Sequence, residues 1–409
     1  MNKKKILNDP IYGFIKIPDG LIFEIIEHPY FQRMRRIKQL GLTDYVYPGA
    51  MHTRFHHALG SMHLMDQALL NLKSKGILIT EEEHEASLIA ILLHDIGHGP
   101  FSHALEESLL EGIDHEKMSS LVIKIFNELF TGRLELALKI FNQQYRRLFF
   151  SQLVASQLDV DRLDYLNRDS YFTGVSEGKI GFERILKMLN VWKEQIVIEE
   201  KAIYSIENFL SSRRLMYWQV YLHKTTVGTE KLLIQLIKRA KHLAKLRKLK
   251  TRNDALKLFL QNDFSLEDFA NDKNLLHAYL SLDDYDIWGS VKIWQYHDDP
   301  VLSELSRMLI ERDLFRVLMK NSPVDPSIKS SLLGKVSRKF SLIPSDAEYL
   351  VVDGYMSNAA YEMKQSTINV MKKDGSVVEI ASASDLPNIK AMSKIVKKYY
   401  LCWPKSVSL

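Results

Sequence analysis

A chain of 409 residues with 46% hydrophobic and 26% charged residues has the composition of a folded globular protein, and its length allows two structural units or one large helical body with an appendage. The single cysteine, Cys402, excludes an internal disulfide and favours a reducing compartment, and no apolar run approaches the roughly 20 residues that cross a bilayer. The net charge of +5 accommodates an anionic substrate without requiring nucleic acid. Because no long apolar segment follows the basic N-terminus, we expect no secretory signal and a cytoplasmic protein.

The first predicted helix covers residues 19–40 and is broken or restarted at Pro29. Its second half carries four basic residues that, taken alone, are typical of a solvated helix face: Arg33, Arg35, Arg36 and Lys38. Thr53 is a plausible N-cap for the next helix, whose first turns contain His57. A lone histidine there is more often a core or surface residue, but beside Arg54 it is a candidate ligand.

Residues 94–103 contain three histidines and an aspartate, directly after an apolar stretch, 86–93, that predicts a buried helix. Two glycines and a proline within this segment predict that the helix ends there. Imidazoles and carboxylates suit divalent transition metals, and a bound cation would remove the cost of burying Asp95 beside His94. For an isolated pair, a capping histidine with a solvated aspartate is the favoured interpretation, but the neighbouring histidines favour a metal site.

Residues 104–150 are predicted to be helical, and another helix follows within 156–169. Asp161 and Tyr165 are four residues apart and therefore share one face of that helix. An aspartate on a face that also carries apolar residues needs a partner, which a metal or an arginine could supply. A salt-bridged helix, with Arg162 among its cations, is the simpler interpretation of this segment alone.

The following segments are predicted as a small hairpin over 196–204, helix over 205–250 and mostly helix over 251–325, with a loop near 281–284. Between Lys231 and Lys250 there are eight Lys and Arg residues, no acidic residue and one apolar stripe. A solvated surface helix and an anion-facing helix explain this segment equally well.

Beyond Pro323 the pattern changes to strands. Residues 348–352 are predicted as a strand, and 367–371 with 376–380 are predicted as a hairpin whose turn lies near Asp374 and Gly375. This C-terminal α+β unit carries no histidine.

The predicted metal ligands combine two imidazoles and two carboxylates from three separate helices: His57, His94, Asp95 and Asp161. An octahedral ion would keep two positions open for water and a substrate oxygen, which is the layout of a hydrolytic site. Such an ion also neutralises phosphoryl oxygens, so phosphate esters are the favoured substrates. Nearby arginines can hold further phosphates and nearby histidines can transfer protons. The sequence contains neither a P-loop nor a dinucleotide-binding fingerprint.

The order H…HD…D, with Arg54-Phe55-His56-His57, resembles the HD-domain metal phosphohydrolases. Residues 94–103, with Asp159-Val160-Asp161 and Tyr165, are similar to the deoxynucleoside triphosphate triphosphohydrolase family, which includes the vertebrate SAM/HD-domain dNTPase and bacterial dGTPase-like proteins. The similarity spans most of residues 5–230 and also Arg312-Asp313-Leu314-Phe315-Arg316. We expect no SAM domain before the HD region.

The resemblance implies a mainly α fold, an HD-domain helical bundle with extra helices and a small C-terminal α+β unit. The expected body covers 1–325, with the metal core at about 50–170, and the C-terminal unit covers 326–409. The implied reaction converts a dNTP and water to a deoxynucleoside and tripolyphosphate by attack at the α-phosphorus. The implied cofactor is a divalent ion (Mn, Fe, Mg, Zn or Ni).

The resemblance also assigns roles by matching position. The metal ligands match the four residues above, and the histidines that act in catalysis or contact phosphate match His98, His103 and His115. Among these, His103 is the expected acid for the leaving 5′-oxygen, and Glu106 stands where the family has an Asp near that histidine. The phosphate contacts match Arg54, Arg162 and Arg213. The pocket that binds the 3′-hydroxyl and excludes a 2′-hydroxyl matches Gln39, Leu40, Tyr165, Asp169 and Tyr221. Tyr217 stands where the relative has a His.

A regulatory site is implied as well. In the relative, dNTPs bind between subunits and assemble a tetramer, so we expect a homo-oligomer (dimer or tetramer) with a dNTP or GTP activator. The matching positions are Lys5, Asn8, Glu27, Gln32, Arg35, Arg312 and Arg316. Glu27 replaces an Asp that reads guanine.

Two alternatives remain open. The first keeps the metal site but changes the substrate to another nucleotide, such as a monophosphate, a cyclic dinucleotide or an alarmone; the Gly-Tyr-Pro signature of the cyclic-dinucleotide class is missing. The second is a nucleic-acid-binding or scaffold protein that uses the 231–250 helix. It ranks last, because a degenerate HD protein should have lost ligands and all four are present.

Overall fold

The computed structural model describes residues 5–110, 112–251, 253–358, 367–385 and 396–409, apart from the side chains of His103, Glu107 and Asn358. The fold is mainly helical, as expected. In the described residues the α-helices are α1 (Leu21–Glu27), α2 (Pro29–Gln32), α3 (Arg54–Ser74), α4 (Glu81–Leu92), α5 (His103–Leu109), α6 (His115–Leu129), α7 (Glu135–Phe141), α8 (Leu148–Val154), α9 (Val160–Thr173), α10 (Phe182–Met188), α11 (Ile203–Met216), α12 (Lys224–Lys245), α13 (Asp254–Gln261), α14 (Leu266–Asn271), α15 (Lys273–Ser281), α16 (Asp284–Trp294), α17 (Pro300–Ile310), α18 (Pro326–Phe340), α19 (Pro344–Ala347) and α20 (Ile380–Ala383).

Three small sheets accompany the helices in the described part of the chain. Their strands are β1 (Lys5–Asp9), β2 (Gly13–Ile17), β3 (Leu189–Trp192), β4 (Gln195–Glu199), β5 (Phe315–Lys320), β6 (Val352–Asn358), β7 (Asn369–Met371), β8 (Val377–Glu379) and β9 (Val396–Pro404). The strand orders are β1-β2, β3-β4-β7-β8 and β5-β9-β6, and all pairings are antiparallel except β4 with β7. Short turns of 3-10 helix cover Arg33–Arg36, Thr43–Tyr45, Ser176–Gly178, Glu200–Ala202 and Glu348–Leu350, and a π-helix covers Tyr217–Tyr221.

Helices α3, α4 and α9 form the part of the core that positions the site. Helices α3 and α9 approach so closely that a Cβ at Gly60 would lie 2.0 Å from the Asp164 carboxylate. Glycine inside a helix costs about 1 kcal/mol relative to alanine. Here it permits the contact between the two helices, because any side chain at position 60 would displace the buried Asp164–Arg168 ion pair.

Local sequence signals fix the starts of these helices. The backbone N–H of Thr53 donates to His56 Nδ1 at 3.2 Å at the start of α3, and the Asp159 carboxylate accepts from the Arg162 backbone N–H at 2.7 Å at the start of α9. The apolar helix α4 ends at Leu92, immediately before the His-Asp pair, as predicted. The ends of three helices therefore meet where the candidate ligands lie.

The predicted break at Pro29 is confirmed, since α1 ends at Glu27 and α2 starts at Pro29. The hairpin near Asp374 and Gly375 is also confirmed by the pairing of β7 with β8. The predicted helix over 19–40 is too long, because Arg33–Arg36 is a 3-10 turn and Lys38 forms a β-bridge with Thr53.

Three predicted elements are wrong in extent or type. The hairpin predicted over 196–204 is wrong, because the apolar run after Gln195 forms strand β4 and pairs with the preceding strand β3. The residues that follow do not form a second strand, and helix α11 begins at Ile203. Residues Glu348–Leu350 form a 3-10 turn, and the strand begins at Val352. The helical prediction up to residue 325 misses β5, which exists because β9, some eighty residues later in the chain, pairs with it.

Strands from both sides of the expected 325/326 boundary share two sheets: β5 pairs with β9, and β4 pairs in parallel with β7. The division into two units stays a prediction. No helix in the described ranges has both the length and the apolar character that crossing a membrane requires.

Candidate functional site

The four predicted metal ligands converge. The His57 Nε2 atom lies 3.0 Å from Asp161 Oδ1 and 3.3 Å from His94 Nε2, and it lies 3.8 Å from Asp95 Oδ2. His94 Nε2 in turn lies 3.4 Å from Asp95 Oδ1 and 3.5 Å from Asp161 Oδ1. His57, His94 and Asp161 thus bring three donor atoms within 4.8 Å of one another, whereas Asp95 forms a second such group with His98 and His115. Imidazole nitrogens and carboxylate oxygens are donors that a divalent transition metal takes.

Each ligand sits at a helix end. His57 and Asp161 lie in the first turns of α3 and α9, and His94 and Asp95 follow the last residue of α4. The turn after them is close-packed, since a Cβ at Gly97 would lie 2.3 Å from the Ser119 backbone nitrogen on α6. Gly97, one of the glycines that predicted the end of the helix, therefore also allows the ligand turn to pack against α6.

The outer contacts of both histidines prepare their Nε2 atoms for a metal. His57 Nδ1 contacts the Asp164 carboxylate at 2.7 Å, and His94 Nδ1 donates to the Ile91 carbonyl at 2.6 Å. A donor proton on Nδ1 leaves the Nε2 lone pair free to bind a cation, and such outer contacts are characteristic of metal-binding histidines. The residues present therefore fit a divalent ion.

The charges of the site agree with that conclusion. Burial alone would lower the pKa of His57, but its hydrogen bonds to Asp161 and Asp164 raise it to about 10. Burial would raise the pKa of Asp161, but its contacts with His57 and His94 lower it below its usual range. The cluster thus attracts positive charge, which a proton supplies when no metal is bound.

Arg54 pairs with Asp95 and also donates from Nε to the Ser102 hydroxyl at 2.8 Å. Burial would raise the pKa of Asp95, but Arg54 and His94 hold it well below its ordinary value. The arginine is buried, so its guanidinium reaches the cavity from a fixed position. This is where an anionic group of a substrate would meet it.

The rings of His98 and His115 stack beside Asp95, with centroids 3.8 Å apart. His98 Nε2 lies 3.4 Å from Asp95 Oδ1, and His115 Nδ1 contacts the Glu106 carboxylate at 2.9 Å. Burial, followed by the charge of Arg54, lowers the pKa of His98 well below 6.5, so this ring is neutral near pH 7. His103 begins α5, and its side chain lies outside the described residues.

Residues distant in sequence clamp the loop after the ligands. Arg33 donates to the carbonyls of Leu282, Ile96 and His98, and it is buried, so its predicted place on a solvated face is wrong. Tyr279 donates to the Gly97 carbonyl at 2.9 Å, and the Asp284 carboxylate accepts from the Phe101 backbone N–H at 2.7 Å.

The clamp offsets backbone strain. Phe101 and Ser102 have φ values of 53° and 51°, a left-handed conformation that is unfavourable for residues with a Cβ. Burial raises the pKa of Asp284 to about 6, although its two backbone hydrogen bonds oppose that rise. Strain of this kind persists only where surrounding contacts enforce it, and here they fix the direction in which α5 starts.

A cavity of about 430 Å³ opens beside the candidate metal site. Eight of the nine substrate-contact residues predicted from the resemblance line it: Gln39, Leu40, Arg54, Arg162, Tyr165, Asp169, Tyr217 and Tyr221. His98, His115 and the ligands Asp95 and Asp161 line it too. The ninth residue, Arg213, is outside this lining and donates to the Gln157 side chain at 3.0 Å. Gln157 faces a second cavity of about 800 Å³, which also reaches Asp95, His115, Asp161 and Arg162.

The sugar-pocket residues are held by a short network. Asp169 accepts from Tyr221 at 2.7 Å on one carboxylate oxygen and contacts His52 Nε2 at 2.7 Å with the other. The Tyr165 and Tyr221 rings meet at 6.2 Å. In contrast, the buried Gln39 Oε1 atom has no hydrogen-bond partner among the described residues. A ligand or an ordered water could supply its partner.

The residues of the expected regulatory site fall into two groups. Lys5 Nζ lies 3.9 Å from the Glu27 carboxylate, Arg35 donates to Gln32 at 2.8 Å, and Asn8 lies in β1. Arg312 donates instead to the Tyr45 carbonyl at 2.8 Å, and Arg316 lies on β5. Among the described residues, no hydrogen bond or ion pair joins the two groups.

Five residues of the site were missed by sequence reasoning. They are His52, Asp164, Glu230, Tyr279 and Asp284. Asp164 carried a usable signal, since Asp161, Asp164 and Arg168 recur at helical spacing on α9. The others come from distant segments and carry no local pattern.

The comparison with protein families agrees with this geometry. The model for the HD domain matches residues 54–169, and the model for the HD associated region matches residues 180–261. The chain belongs to the family of HD-domain proteins with an HD associated region. HD domains bind divalent metals, and the candidate ligands lie within the matched range.

Individual relatives sharpen the class. A phosphohydrolase from Bacteroides thetaiotaomicron, known as a crystal structure, is 48% identical with a TM-score of 0.95 and covers 98% of this chain and all of its own. The uncharacterized protein YwfO of Bacillus subtilis is 31% identical over 94% of this chain and 88% of its own length. The SAMHD1 homolog of Dictyostelium discoideum, a deoxynucleoside triphosphate triphosphohydrolase, is 36% identical over 55% of this chain and 47% of its own length. These findings support a metal-dependent HD-domain phosphohydrolase.

Proposed function

We propose that this protein is a metal-dependent deoxynucleoside triphosphate triphosphohydrolase, which converts a dNTP and water to a deoxynucleoside and tripolyphosphate. The observation that carries the proposal is the cavity of about 430 Å³ whose lining includes the candidate ligands Asp95 and Asp161 together with the tyrosines Tyr165, Tyr217 and Tyr221. One end of the cavity can take phosphates and the other can take a nucleoside. The similarity to the Dictyostelium triphosphohydrolase supports the same substrate class.

The phosphate end supplies both charge and proton transfer. A bound divalent ion (Mn, Fe, Mg, Zn or Ni) supplies an activated water and neutralises phosphoryl oxygens. Arg54 and Arg162, each paired with an aspartate, are fixed donors for further phosphate oxygens. The neutral His98 ring can hydrogen-bond a phosphate oxygen, and we assign to His103 the protonation of the leaving 5′-oxygen.

The nucleoside end distinguishes sugars by hydrogen bonding and by shape. Asp169 and Gln39 offer acceptors for a 3′-hydroxyl, and Tyr165 with Tyr221 closes the pocket around the ring. A ribose would add a hydroxyl that needs both space and a partner in that packed wall. Rejection of the 2′-hydroxyl follows from this packing.

The decisive experiment is product identification. The purified protein loaded with Mn²⁺ is incubated with each dNTP singly and with all four together, and the products are separated by chromatography. Deoxynucleoside with tripolyphosphate is the expected pair. Inactivity on all four, singly and mixed, would contradict the proposal, and release of single phosphates would point to a different cleavage.

A phosphohydrolase for another nucleotide is the second candidate, because the curated relatives that match most of the chain are uncharacterized. Under this alternative, ribonucleotides and deoxynucleotides would be used alike, and Tyr165→Ala would keep its activity. Under the main proposal, Tyr165→Ala loses discrimination against the 2′-hydroxyl.

We further propose nucleotide activation at an oligomer interface in a cytoplasmic homo-oligomer. The expected regulatory residues form two separate groups, and this separation supports the arrangement. Lys5 and Glu27 belong to the first group, and Arg312 belongs to the second. Sedimentation with and without dNTP or GTP tests it, and an unchanged monomer in every condition would contradict it.

A further inference from the structure

Glu230, on helix α12, lines the same cavity as the proposed substrate contacts. The lining residues nearest the metal ligands are Arg54, His98, His115 and Arg162, whose contacts are given above. Apart from these residues, the ligands and the proposed sugar contacts, the lining consists of Gly41, Thr43, Phe101, Ser102, Ala104, Tyr217, Leu222 and Glu230. Helix α12 packs against both the 3-10 turn at Thr43 and the π-helix. A nucleotide whose phosphates meet the metal and whose sugar meets Tyr165 would turn its base toward this remaining part of the lining.

The Glu230 carboxylate differs from the other acids of the site because no ion pair or hydrogen bond among the described residues engages it. Asp95 pairs with Arg54, Asp159 with Arg162, and Asp164 with Arg168. The neighbouring Lys231 points elsewhere, with its ammonium over the Tyr400 ring. Thr226, one turn earlier on the same helix face, also has its buried Oγ1 without a partner among the described residues.

The Glu230 side chain is partly buried, and its carboxylate lines the cavity, where a ligand with N–H donors could replace the water that otherwise solvates it. Burial raises the pKa of Glu230 to about 7 against the lowering effect of Lys231, so the group is ionised at pH 8. An ionised carboxylate offers only acceptors. Guanine presents two adjacent N–H donors on its pairing edge, adenine and cytosine each present one donor beside an acceptor, and thymine presents one donor between two carbonyls.

We propose that Glu230 determines base preference by accepting hydrogen bonds from the pairing edge of the base, so that guanine is favoured most and thymine least. This inference rests on the proposed function. Recognition of a base by hydrogen bonds to that edge is a general route to selectivity in enzymes that bind nucleotides in pockets. A site built to hydrogen-bond a substrate group discriminates strongly against analogues that lack it.

The test is an internal competition at pH 8 with Mn²⁺ and equal concentrations of the four dNTPs, with each deoxynucleoside quantified at early times. Product ratios then report ratios of kcat/KM, and any activator is the same for all four substrates. We expect more deoxyguanosine than thymidine from the unaltered protein, and a roughly tenfold fall in that ratio for Glu230→Gln. Glu304→Gln, at a surface pair with Arg307, is the matched control and should leave the ratio unchanged.

A ratio that stays within about twofold while total turnover is kept would overturn this inference and leave the proposed function standing. No product from any dNTP with the unaltered protein would remove both. Thermal unfolding without nucleotide gives a second readout on Glu230→Gln and Glu230→Leu. Removal of an unpaired carboxylate should hold or raise the Tm, whereas a lower Tm for both variants would show a structural role and overturn the inference.

Discussion

At the metal end of the cavity, the Asp95 carboxylate contacts Arg54 and lies close to the imidazoles of His94 and His98, whereas at the base end the Glu230 carboxylate has no such partner among the described residues. Both ends of the cavity carry acidic residues. At the metal end, contacts with Asp164, the Ile91 carbonyl and Arg54 hold the candidate ligands His57, His94 and Asp95 in place without substrate. At the other end of the cavity, the Glu230 carboxylate has no protein partner among the described residues, so its hydrogen bonds would form only with a ligand or with water. Under the proposed function, this difference would make catalysis depend on preorganised contacts at one end and base selection depend on an unpaired carboxylate at the other.

Asp95→Ala should have the largest effect, because it removes a ligand and leaves Arg54 buried without its partner. We expect loss of bound metal and a fall in the rate of at least about a thousandfold. Metal content after dialysis and the rate on a dNTP mixture measure the two effects. His103→Ala is the contrast, since it should lose activity while retaining metal. Full metal content in Asp95→Ala would contradict the ligand assignment.

Asp164→Asn tests the contact that orients His57. Loss of an outer carboxylate contact typically weakens metal binding by about 10- to 100-fold, and we expect that range in a calorimetric titration with Mn²⁺. Asp66→Asn is the matched control, because Asp66 contacts His84 Nε2 at 2.8 Å outside the site. Equal affinities in the two variants would show that the Asp164 contact does not prepare the metal site.

The pH dependence of stability tests whether the Glu230 carboxylate lacks a protein partner. Because the pKa of Glu230 is raised to about 7 in the folded chain, the folded state binds a proton more tightly than the unfolded state between about pH 4 and 7. Stability contributed by this group therefore falls as the pH rises through that window. Between pH 5 and pH 8, the free energy of unfolding of the unaltered protein should fall by on the order of 1–2 kcal/mol relative to that of Glu230→Gln. This figure allows for the partial exposure of the Glu230 side chain.

Denaturant unfolding at the two pH values, without nucleotide, measures that difference. If the difference in the free energy of unfolding between the two proteins is the same at both pH values, Glu230 contacts a protein partner at high pH. A difference of the opposite sign would mean that the carboxylate is stabilised rather than destabilised by its surroundings.

Gln39→Ala should have the smallest effect, because the Gln39 Oε1 atom has no partner among the described residues. We expect an unchanged Tm and a rise in KM of up to about tenfold, the equivalent of one hydrogen bond to substrate. Steady-state rates and thermal unfolding measure both. A clear loss of Tm would place Gln39 in the scaffold rather than at the substrate.

Local patterns were sufficient for the elements that depend on neighbouring residues. The apolar run before His94 forms a helix that ends at Leu92, before the glycines and the proline that predicted its end, and the Asp374-Gly375 turn closes a hairpin whose strands are adjacent in sequence. The family resemblance added the roles of the ligands, and the structure brings those four side chains together. The failures lie where the partner is remote: β5 was expected to be helical because only β9 makes it a strand.

The sequence by itself determined which side chains could hold a metal and where the helices carrying them start and end, because capping, glycine and proline act within a few residues. Tertiary structure alone decided that Arg33, Tyr279 and Asp284 clamp the loop after the ligands, and that Glu230 faces the cavity without a partner. These contacts join segments up to about 250 residues apart in the chain. Only the folded core brings such segments together, and no local spacing records them.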